Sequence, residues 1–519
     1  MSKRDNPVVL VLALVVTLGL IGGGFWILRG SLPGLVSGGS DQTDTSRETK
    51  QLTILGDTFS GYSTFRSPEF QDVLQEVGLS LTYQDEFDQA QRAQLLNQGK
   101  ADLFVTTLDQ FLKHQPQGKI VGLIDRTVGA DAVVLNTKKY PSLKSLLDLG
   151  KLVQEQQSQG KSLSIAYAGD TPSEYLALVL STKFEALNLS DFEVKEVADA
   201  SEAWQMLRDP NENVAIAVVW EPFVTQARQQ GYTVVLSSKD APKAIVDVIV
   251  ASNQLIQSQP AKITELLEAY YRRIDANVRQ PSQLQKQIAE DGNLATKDAA
   301  TVLQGIDFFS AVEAKDWMSD GTLEKRIGST GAVLVLAGEM NQVPQNPPEL
   351  FSSQFINKAA SNTETLIELV RADNPELADR LAGKGNTIAA TQKVNASKVA
   401  NAPDIGNLQV RGEVKFDSGS AELTNEGKQT LVKLAQEITE FNPQTVAVRV
   451  IGHTSKTGIP EFNQKLSQQR AQVVVNALRN QGLQHNFVPE GKGFSLPMAG
   501  ISPEDPRQQR TEIRLVRIN

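Results

Sequence analysis

Two neighbouring segments near the end of the chain decide how its C-terminal region folds: residues 452–458, GHTSKTG, and residues 463–471, NQKLSQQRA. The first follows an apolar run typical of a strand, and the second lies in a region of helical periodicity. Asn463 and Arg470 are two helical turns apart, so they share one face of the predicted helix. A guanidinium on that face can hold a carboxylate through two parallel hydrogen bonds.

These segments resemble the ligand-binding part of the OmpA/MotB family of peptidoglycan-binding domains, which reads roughly G-H-T-D-x-x-G and then N-x-x-L-S-x-x-R-A. Residues 416–423, FDSGSAEL, resemble the F-x-x-G-x-A-x-L opening of that family, and residues 491–497, GKGFSLP, its G-x-G-x-x-x-P phrase. The resemblance implies that residues 408–519 hold the diaminopimelate of a peptidoglycan stem peptide. The site residues it implies are Thr454, Ser455, Asn463, Leu466 and Arg470.

The chain departs from the family pattern at Ser455, where the family carries an aspartate. A hydrogen bond to a charged group contributes about 1.5–3 kcal/mol, against about 0.5–1.5 kcal/mol for a neutral one. We therefore expect peptidoglycan binding to be weakened roughly tenfold or more, unless a nearby group compensates. A second departure is the family's closing N-R-R, which here reads Gln508, Gln509 and Arg510.

The C-terminal region alternates apolar runs with helical stretches, which predicts a βαβαβ-like α+β unit. Its predicted strands cover residues 408–416, 445–452, 487–492 and 511–517, and its predicted helices residues 425–441 and 461–481.

The large middle region shows the same alternation over a greater length, which predicts parallel strand pairing and an α/β fold. The predicted strands are residues 52–55, 79–83, 102–105, 132–135, 163–167, 214–219, 233–236 and 246–250. Predicted helices include residues 90–99, 174–187 and 263–278. Ligands of such sheets bind where strand ends lead into helix starts.

Four phrases of this region resemble periplasmic solute-binding proteins of the nitrate/sulfonate/bicarbonate group. They are residues 99–107 (GKADLFVTT), 125–138 (DRTVGADAVVLNTK), 169–177 (GDTPSEYLA) and 217–227 (AVVWEPFVTQA). The resemblance implies that residues 51–361 form two α/β lobes joined by crossing strands, with a small solute held in the cleft. Pyrimidine synthases of thiamine biosynthesis share this fold group but carry a cysteine-rich motif, whereas this chain has no cysteine.

Polar and aromatic side chains at predicted strand ends and helix starts are the candidate cleft contacts. They are Ser60, Tyr62, Thr64, Thr106, Thr171, Ser173, Trp220 and Glu221. Each has a structural alternative, because Thr171 or Ser173 can cap a helix and Trp220 can belong to the core. A carboxylate such as Glu221 suits a cationic solute, whereas helix starts suit an anion, so the charge of the solute stays open.

Residues 8–28, VVLVLALVVTLGLIGGGFWIL, contain no charged residue. As a helix they would span roughly 31 Å, close to the roughly 30 Å hydrocarbon core of a membrane. Lys3 and Arg4 precede the run, which predicts a cytoplasmic N-terminus and a periplasmic remainder. The alternative is a cleaved signal peptide, although the run exceeds a typical apolar core of that kind.

The predicted layout is an anchor over residues 1–29, a linker over 30–50, the solute-binding-like domain over 51–361, short helices and a linker over 362–407, and the OmpA-like domain over 408–519. The net charge of −9 argues against nucleic acid as a partner. The three widely spaced histidines and the absence of cysteine predict no metal site and no cofactor.

We therefore expect a single-pass protein of the inner membrane, facing the periplasm, that binds peptidoglycan and a small solute and is not an enzyme. The alternative is a structural tether or protein-interaction scaffold whose cleft binds no solute. A stator-like ion channel subunit fits the layout, but the apolar segment lacks the acidic residue that such a channel needs.

Overall fold

The structure, a computed structural model, describes residues 50–384, 393–410 and 412–518. The predicted anchor over residues 8–28 and the linker before residue 50 lie outside this range. None of the helices within the described residues is both long enough and apolar enough to cross a membrane.

The strands and helices alternate through the middle of the chain, as the sequence predicts. The strands are β1 Lys50–Gly56, β2 Leu79–Asp85, β3 Leu103–Thr107, β4 Gly118–Thr127, β5 Asp131–Leu135, β6 Leu163–Ala168, β7 Phe192–Val197, β8 Val214–Trp220, β9 Thr233–Ser237, β10 Val246–Ser252, β11 Ile306–Phe308, β12 Asp404–Asn407, β13 Val446–Gly452, β14 Phe487–Gly491 and β15 Thr511–Arg517.

The helices begin after β1 and continue to the C-terminal domain. They are α1 Ser63–Arg66, α2 Pro68–Glu76, α3 Gln89–Asn97, α4 Leu108–His114, α5 Leu146–Ser158, α6 Pro172–Lys183, α7 Ala200–Arg208, α8 Phe223–Gln229, α9 Asn253–Ser258, α10 Pro260–Arg279, α11 Ser282–Asp291, α12 Thr296–Gln304, α13 Ala311–Ser319, α14 Thr322–Ala337, α15 Asn357–Arg371, α16 Pro375–Leu381, α17 Ala396–Ala400, α18 Asn425–Ile438 and α19 Pro460–Asn480.

The middle region forms two α/β lobes. Lobe I contains a six-stranded sheet in the order β11-β4-β10-β3-β1-β2, and lobe II a five-stranded sheet in the order β7-β6-β8-β5-β9. The pairs β1–β2, β1–β3, β6–β7 and β6–β8 are parallel, while β10 and β5 each pair antiparallel with both of their neighbours. The central strands β3, β5, β6 and β10 are buried along their whole length because helices cover both faces of such sheets, whereas the edge strands β2 and β7 are partly exposed.

Two segments cross between the lobes and form the hinge. Residues 128–130 lead from β4 to β5, and residues 238–245 lead back from β9 to β10. Ser238 holds the crossings together, because its hydroxyl accepts hydrogen bonds from the backbone N–H groups of Gly129 at 2.8 Å and Asp131 at 3.2 Å. The two-lobed architecture that the sequence predicts is confirmed by this topology.

The C-terminal domain contains a four-stranded sheet in the order β12-β15-β13-β14, with α18 and α19 on one face. The predicted helices and the last three predicted strands are confirmed. The predicted strand over residues 408–416 is wrong, because the edge strand β12 lies before it. Among the described residues of 408–416, only Leu408 and Phe416 form β-bridges, and each of these bridges is isolated. The apolar residues of this segment enter the core from an irregular backbone instead.

Part of the predicted linker is folded as well. Helix α17 buries Val399 against Ala447, Val516 and Ile518 on the C-terminal sheet, and β12 pairs with β15. The helix is short but well specified, since Asn395 caps its first turn through the N–H of Ser397. Residues 393–407 are therefore an integral part of the C-terminal domain.

Lobe II and the C-terminal domain share one hydrophobic core. Phe184, at the end of α6, contacts Phe441 edge-to-face with ring centroids 6.0 Å apart. Leu146 of α5 and Leu408 belong to the same buried cluster. At Gly406 an added Cβ would lie 3.0 Å from the Phe184 ring, so a side chain there would force the two layers apart.

Backbone and charged contacts surround this shared core. The N–H of Gln409 donates to the carbonyl of Lys183 at 2.8 Å, and the N–H of Glu185 donates to the carbonyl of Asn407 at 3.1 Å. Arg517 pairs with Asp240 in the second crossing segment at 2.6 Å. Ion pairs also join Lys183 to Glu437 and, at 2.6 Å, Arg326 of α14 to Glu440.

We expect Phe441→Ala to lower the free energy of unfolding by about 3–5 kcal/mol, because it opens a cavity in the shared core. Chemical denaturation followed by near-UV circular dichroism measures this. Because the core is continuous, lobe II and the C-terminal domain should unfold together in one shifted transition. Phe462→Ala is the matched control, since that ring is 54% exposed and should contribute little. Separate transitions, with only one of them shifted, would contradict a shared core.

Candidate functional site

The first candidate site lies where β13 ends and α19 begins. The loop between them, residues 453–459, carries Thr454 and Ser455, and the buried face of α19 carries Asn463, Leu466 and Arg470. This approach of strand and helix requires glycine at position 452, because an added Cβ would lie 2.3 Å from the carbonyl oxygen of Ser467. The five predicted residues therefore lie on one loop and one helix face.

Arg470 is a buried cation without an acidic partner. Its side chain is 5% exposed, and no carboxylate of the described residues lies within ion-pair distance of it. Nε donates to the carbonyl of Ser420 at 2.8 Å, and Nη1 donates to Oε1 of Gln509 at 3.2 Å. The guanidinium also lies 5.0 Å from the ring centre of Phe416. Burial lowers the pKa of Arg470.

Neutral groups surround Ser455 at the position of the family aspartate. Its Oγ lies 3.0 Å from Oγ1 of Thr457, and Nδ2 of Asn463 donates to the Thr457 carbonyl at 2.8 Å. The buried Oγ1 of Thr454 has no hydrogen-bond partner within the described part of the chain. Hydroxyl and amide groups thus make up this part of the site, and Ser455 brings no negative charge.

A charged network fixes the base of this loop. His453 Nε2 and Arg510 Nη2 lie 3.1 and 2.8 Å from Oε1 of Glu512, and Arg514 Nη2 lies 3.0 Å from Oε2. Burial opposes ionisation of Glu512, but these neighbours outweigh it and lower its pKa to about 2. Arg510, the remaining arginine of the family's closing motif, is therefore already paired.

Sequence reasoning missed three groups of this site: Phe416, Ser420 and Gln509. The first two lie in the segment that resembles the family opening, and Gln509 lies in the altered closing motif, so the motifs contained the signal. A surface groove of about 680 Å³ between Gln464, Gln468 and residues 492–495 is separate from this site. It lies on roughly the opposite side of α19 from Arg470, given the helical spacing.

The second candidate site is the cleft between the lobes. In lobe I, the predicted contacts Tyr62, Thr64 and Thr106 are buried and make internal hydrogen bonds. The Tyr62 hydroxyl donates to Asp247, and the Thr106 hydroxyl donates to Gln89 at 2.9 Å. Thr64 accepts a long bond of 3.4 Å from Asn277. Ser60 is half-buried in the turn before α1.

In lobe II, two predicted contacts have structural roles. Thr171 caps α6 by accepting from the N–H of Ser173 at 3.2 Å, and Glu221 accepts from the N–H and the hydroxyl of Thr225 at 3.0 and 2.9 Å. Trp220 is half-buried beside the lobe II core. Ser173 is buried, and its hydroxyl has no partner within the described ranges. For all four, contact with a solute stays a prediction.

The start of α6 already holds a carboxylate of its own. Oε2 of Glu174 accepts from the backbone N–H of Asp170 at 2.7 Å. Lys113 of lobe I reaches across the cleft and lies 2.8 Å from Asp170 and 2.9 Å from Glu339. Burial acts to lower the pKa of Lys113, but the neighbouring carboxylates have a larger effect in the opposite direction, so the pKa is raised. The N–H of Asp170 just before the helix and that of Ser173 in its first turn are therefore both engaged, and the ion pair between Lys113 and Asp170 bridges the lobes.

Buried acids lie at the hinge end of the cleft, and sequence reasoning missed them. Asp125 and Asp247 lie on the neighbouring strands β4 and β10, and neither Asp125 oxygen has a hydrogen-bond partner within the described residues. Burial raises the pKa of both acids. Burial and the charge of Glu221 raise the pKa of Asp131 to about 7. Their positions in the sequence, next to the two crossing segments, could have marked them as candidates.

Two protein-family models match the chain, one in the C-terminal region and one in the middle region. Residues 415–511 match the model of the OmpA family, and residues 74–284 match the NMT1/THI5-like family. Residues 415–511 are thus similar to OmpA domains. The middle region is similar to NMT1/THI5-like proteins over residues 74–284 and has the two-lobed α/β fold described above. Both resemblances stated from the sequence are thereby confirmed.

Curated relatives match the OmpA domain. Outer membrane protein A of Shimwellia blattae is 33% identical over 104 residues, which are 20% of this chain and 43% of that protein. The probable lipoprotein YiaD of Escherichia coli (strain K12) is 38% identical over 109 residues, covering 21% and 49%. The chain thus spans under half the length of either relative.

Solved structures match the middle region at low sequence identity. The periplasmic aliphatic sulphonate binding protein SsuA of Escherichia coli is 15% identical, covers 59% of this chain and 99% of its own, and has a TM-score of 0.44. The desulfurization enzyme DSZB is 13% identical, covers 60% and 99%, and has a TM-score of 0.41.

We expect the stability of the protein to fall as pH rises from about 4 to about 7, in part through Asp131. The folded-state pKa of about 7 lies above the ordinary value of 3.8, so the folded chain holds this proton more tightly than the unfolded chain. Its stabilising contribution is full below pH 3.8 and is lost as pH rises through about 7.

Asp131→Asn should therefore raise the free energy of unfolding at a pH of about 7.5, by at most about 4 kcal/mol, and change it little at a pH of about 4. Urea denaturation at the two pH values measures the difference. Asp72→Asn, at an exposed position of α2, is the control. If Asp131→Asn does not raise the free energy of unfolding at the higher pH, the prediction is wrong, because the ionised Asp131 side chain would then not destabilise the folded protein.

Proposed function

We propose that this protein attaches non-covalently to peptidoglycan through its OmpA domain and binds a small solute in the cleft between its lobes. The observation that carries the first role is Arg470, a buried guanidinium with neutral neighbours at the arginine position of the family motif. A buried charge without a partner is costly, so a ligand carboxylate that pairs with it gains more than it would at the surface. Both roles are binding roles, and we propose no enzymatic activity.

The ligand group in the wall is the diaminopimelate of a stem peptide. Its carboxylate would pair with Arg470, and its polar neighbours would meet Asn463, Thr454 and Ser455. Because Ser455 replaces the family aspartate, this attachment is weaker than that of a domain carrying the acid. A protein held this way exchanges on the wall more readily than one with the full set of charges.

For the cleft, we propose a solute that carries a cationic or hydrogen-bond-donating group. Two observations support this: the carboxylate of Glu174 lies beside the start of α6, and Asp131 and Glu221 lie together at the edge of lobe II. An anionic solute would add negative charge to this acidic cleft, which is unfavourable at low dielectric.

We also propose that residues 8–28 anchor the chain in the inner membrane and that the remainder lies in the periplasm. The uncharged length of this segment and the preceding Lys3 and Arg4 support it. Alkaline extraction of membranes from cells that express the full chain tests the anchor, since release into the soluble fraction would contradict it.

A second candidate is a structural tether or scaffold whose cleft binds no solute. Specific contacts favour it: Lys113 bridges the lobes, and the polar side chains of Tyr62 and Thr106 are engaged within lobe I. In this case the middle domain would set the position of the OmpA domain, or present a surface to another protein.

Thermal unfolding of the full chain with added solutes separates these two candidates, because a ligand that binds only the folded state raises the melting temperature. We expect stabilisation by members of a panel of small cationic amines and none by matched aliphatic sulfonates. Stabilisation by the sulfonates alone would overturn the charge assignment. No stabilisation by either panel would favour the scaffold.

Co-sedimentation of the full chain with isolated peptidoglycan sacculi tests wall attachment. We expect the unmodified chain to pellet weakly, Arg470→Ala to stay in the supernatant, and Ser455→Asp to pellet about tenfold more strongly, as a charge-assisted bond is restored. Arg479→Ala is the matched control, because this exposed arginine lies on the same helix. Equal pelleting of the unmodified chain and Arg470→Ala would contradict the proposal.

A further inference from the structure

Helix α6 of lobe II is apolar on two different faces. Leu176 and Leu180 belong to the core that lobe II shares with the C-terminal domain, whereas Tyr175, Leu178 and Val179 belong to the core of lobe I. Residues 176 and 180 are one helical turn apart, and so are residues 175 and 178–179, which places the two sets on separate faces. A helix that is apolar on several sides is a buried one, so α6 is enclosed between the lobes.

The second face of α6 is covered by α14. This helix contacts both α4 of lobe I and α6 of lobe II. Its buried residues Leu323, Ile327, Val333 and Leu334 belong to the same apolar cluster as Tyr175. Helix α14 therefore joins the two lobes through buried apolar surface, and the strength of such contacts grows with the area removed from water.

Ion pairs hold α14 near both of its ends. In its first half, Arg326 pairs with Glu440 of the C-terminal domain at 2.6 Å. Just after its last residue, Glu339 lies 2.9 Å from Lys113 of α4, and Lys113 also lies 2.8 Å from Asp170 beside the start of α6. The lobes are thus connected by charged contacts as well as by apolar ones.

The backbone at the lobe II side of this contact is strained. Asp170 has a φ of +49°, in the left-handed region that residues with a side chain seldom adopt. Such a conformation persists only where the surrounding structure fixes it, and Lys113 is one of the groups that hold Asp170 in place.

Opening of the cleft by rotation about the crossing segments would break these contacts. It would separate α6 from α14 and expose Tyr175, Leu178 and Val179 to water, which is unfavourable in proportion to their apolar area. It would also separate Lys113 from Asp170. All of these contacts are made by the chain's own residues.

We propose that α14 is a strap that holds the two lobes together, so that the closed cleft is the resting state and a solute enters only after α14 separates from α6. This inference goes beyond the proposed function, because it concerns the cleft before any solute binds. A solute that needs the open form would bind with an apparent affinity reduced by the fraction of molecules that are open.

Spin-label distances between the lobes of the full chain, without added solute, test the strap. The chain contains no cysteine, so labels attach only at introduced sites. Asp72→Cys in α2 of lobe I and Glu202→Cys in α7 of lobe II lie at exposed positions. We expect one short and narrow distance distribution, with the open form below about 10% of the molecules.

Loosening the strap should open the cleft. In the labelled chain, Leu178→Ala combined with Lys113→Ala removes one apolar and one ionic contact between the lobes. We expect a second, longer distance in at least about a third of the molecules, because truncation of a buried leucine shifts an equilibrium by tenfold or more.

The matched control is Leu180→Ala combined with Lys151→Ala. Leu180 lies on the other apolar face of α6, and Lys151 is an exposed lysine of lobe II. This pair of substitutions should lower the stability of lobe II and keep the single short distance.

The first measurement does not depend on a loosened variant that folds. Two distances of similar occupancy in the chain that carries only the labels would overturn the proposal, because the lobes would then not be held closed. A single short distance in the folded variant with Leu178→Ala and Lys113→Ala would overturn it as well. Both results would leave wall attachment through Arg470 intact, since co-sedimentation tests that role separately.

Discussion

The contact between Phe184 and Phe441 unites the lobe at the centre of the chain with the domain at its end. A domain on a free linker would not share a hydrophobic core with its neighbour. Here the apolar residues of lobe II and of the C-terminal domain pack against each other at Gly406. Burial of apolar surface is the dominant favourable term in such an association. The ion pairs of Lys183 and Arg326 surround the contact and fix its orientation.

The two candidate sites differ in how they hold their buried ionisable groups. At the OmpA domain the buried cation Arg470 contacts neutral groups, whereas burial raises the pKa of Asp125 and Asp247 beside the hinge and so favours their neutral forms. Another buried arginine, Arg126, is paired with Asp307 and Glu313. Because an unpaired charge is expensive to bury, Arg470 is the group for which a ligand counter-charge would bring the larger gain.

The sequence predicts the architecture well, and parts of each site less well. Period-2 and period-3.6 patterns locate the strands and helices because these depend on local side-chain spacing. The motif places Asn463 and Arg470 on one helix face for the same reason. Ser420 and Gln509 contact Arg470 from 50 and 39 residues away; both lie in recognisable motifs, but local spacing does not show that these motifs meet Arg470 in the fold.

The cleft shows the same limit more strongly. A hydroxyl or carboxylate at a helix start can face a ligand or cap the helix, and the sequence is identical in both cases. Thr171 and Glu221 cap their helices, while Asp125 and Asp247 are buried by the packing of strands that are far apart in sequence. The sequence did not predict the folded part of the linker for a related reason. Residues of β12 form a strand because they pair with β15, which lies far away in the sequence.

The order of attachment along the chain has a mechanical consequence. Strand β1, which the N-terminal residues enter, belongs to lobe I, whereas the OmpA domain is fused to lobe II through their common core. The OmpA domain also reaches lobe I, because Arg326 pairs with Glu440 and the helix of Arg326, α14, packs in the lobe I core. A rotation of one lobe against the other about Ser238 would therefore have to break this ion pair or shift α14 with the OmpA domain. The domain at the end of the chain is thus a brace across the two lobes as well as a partner of one of them.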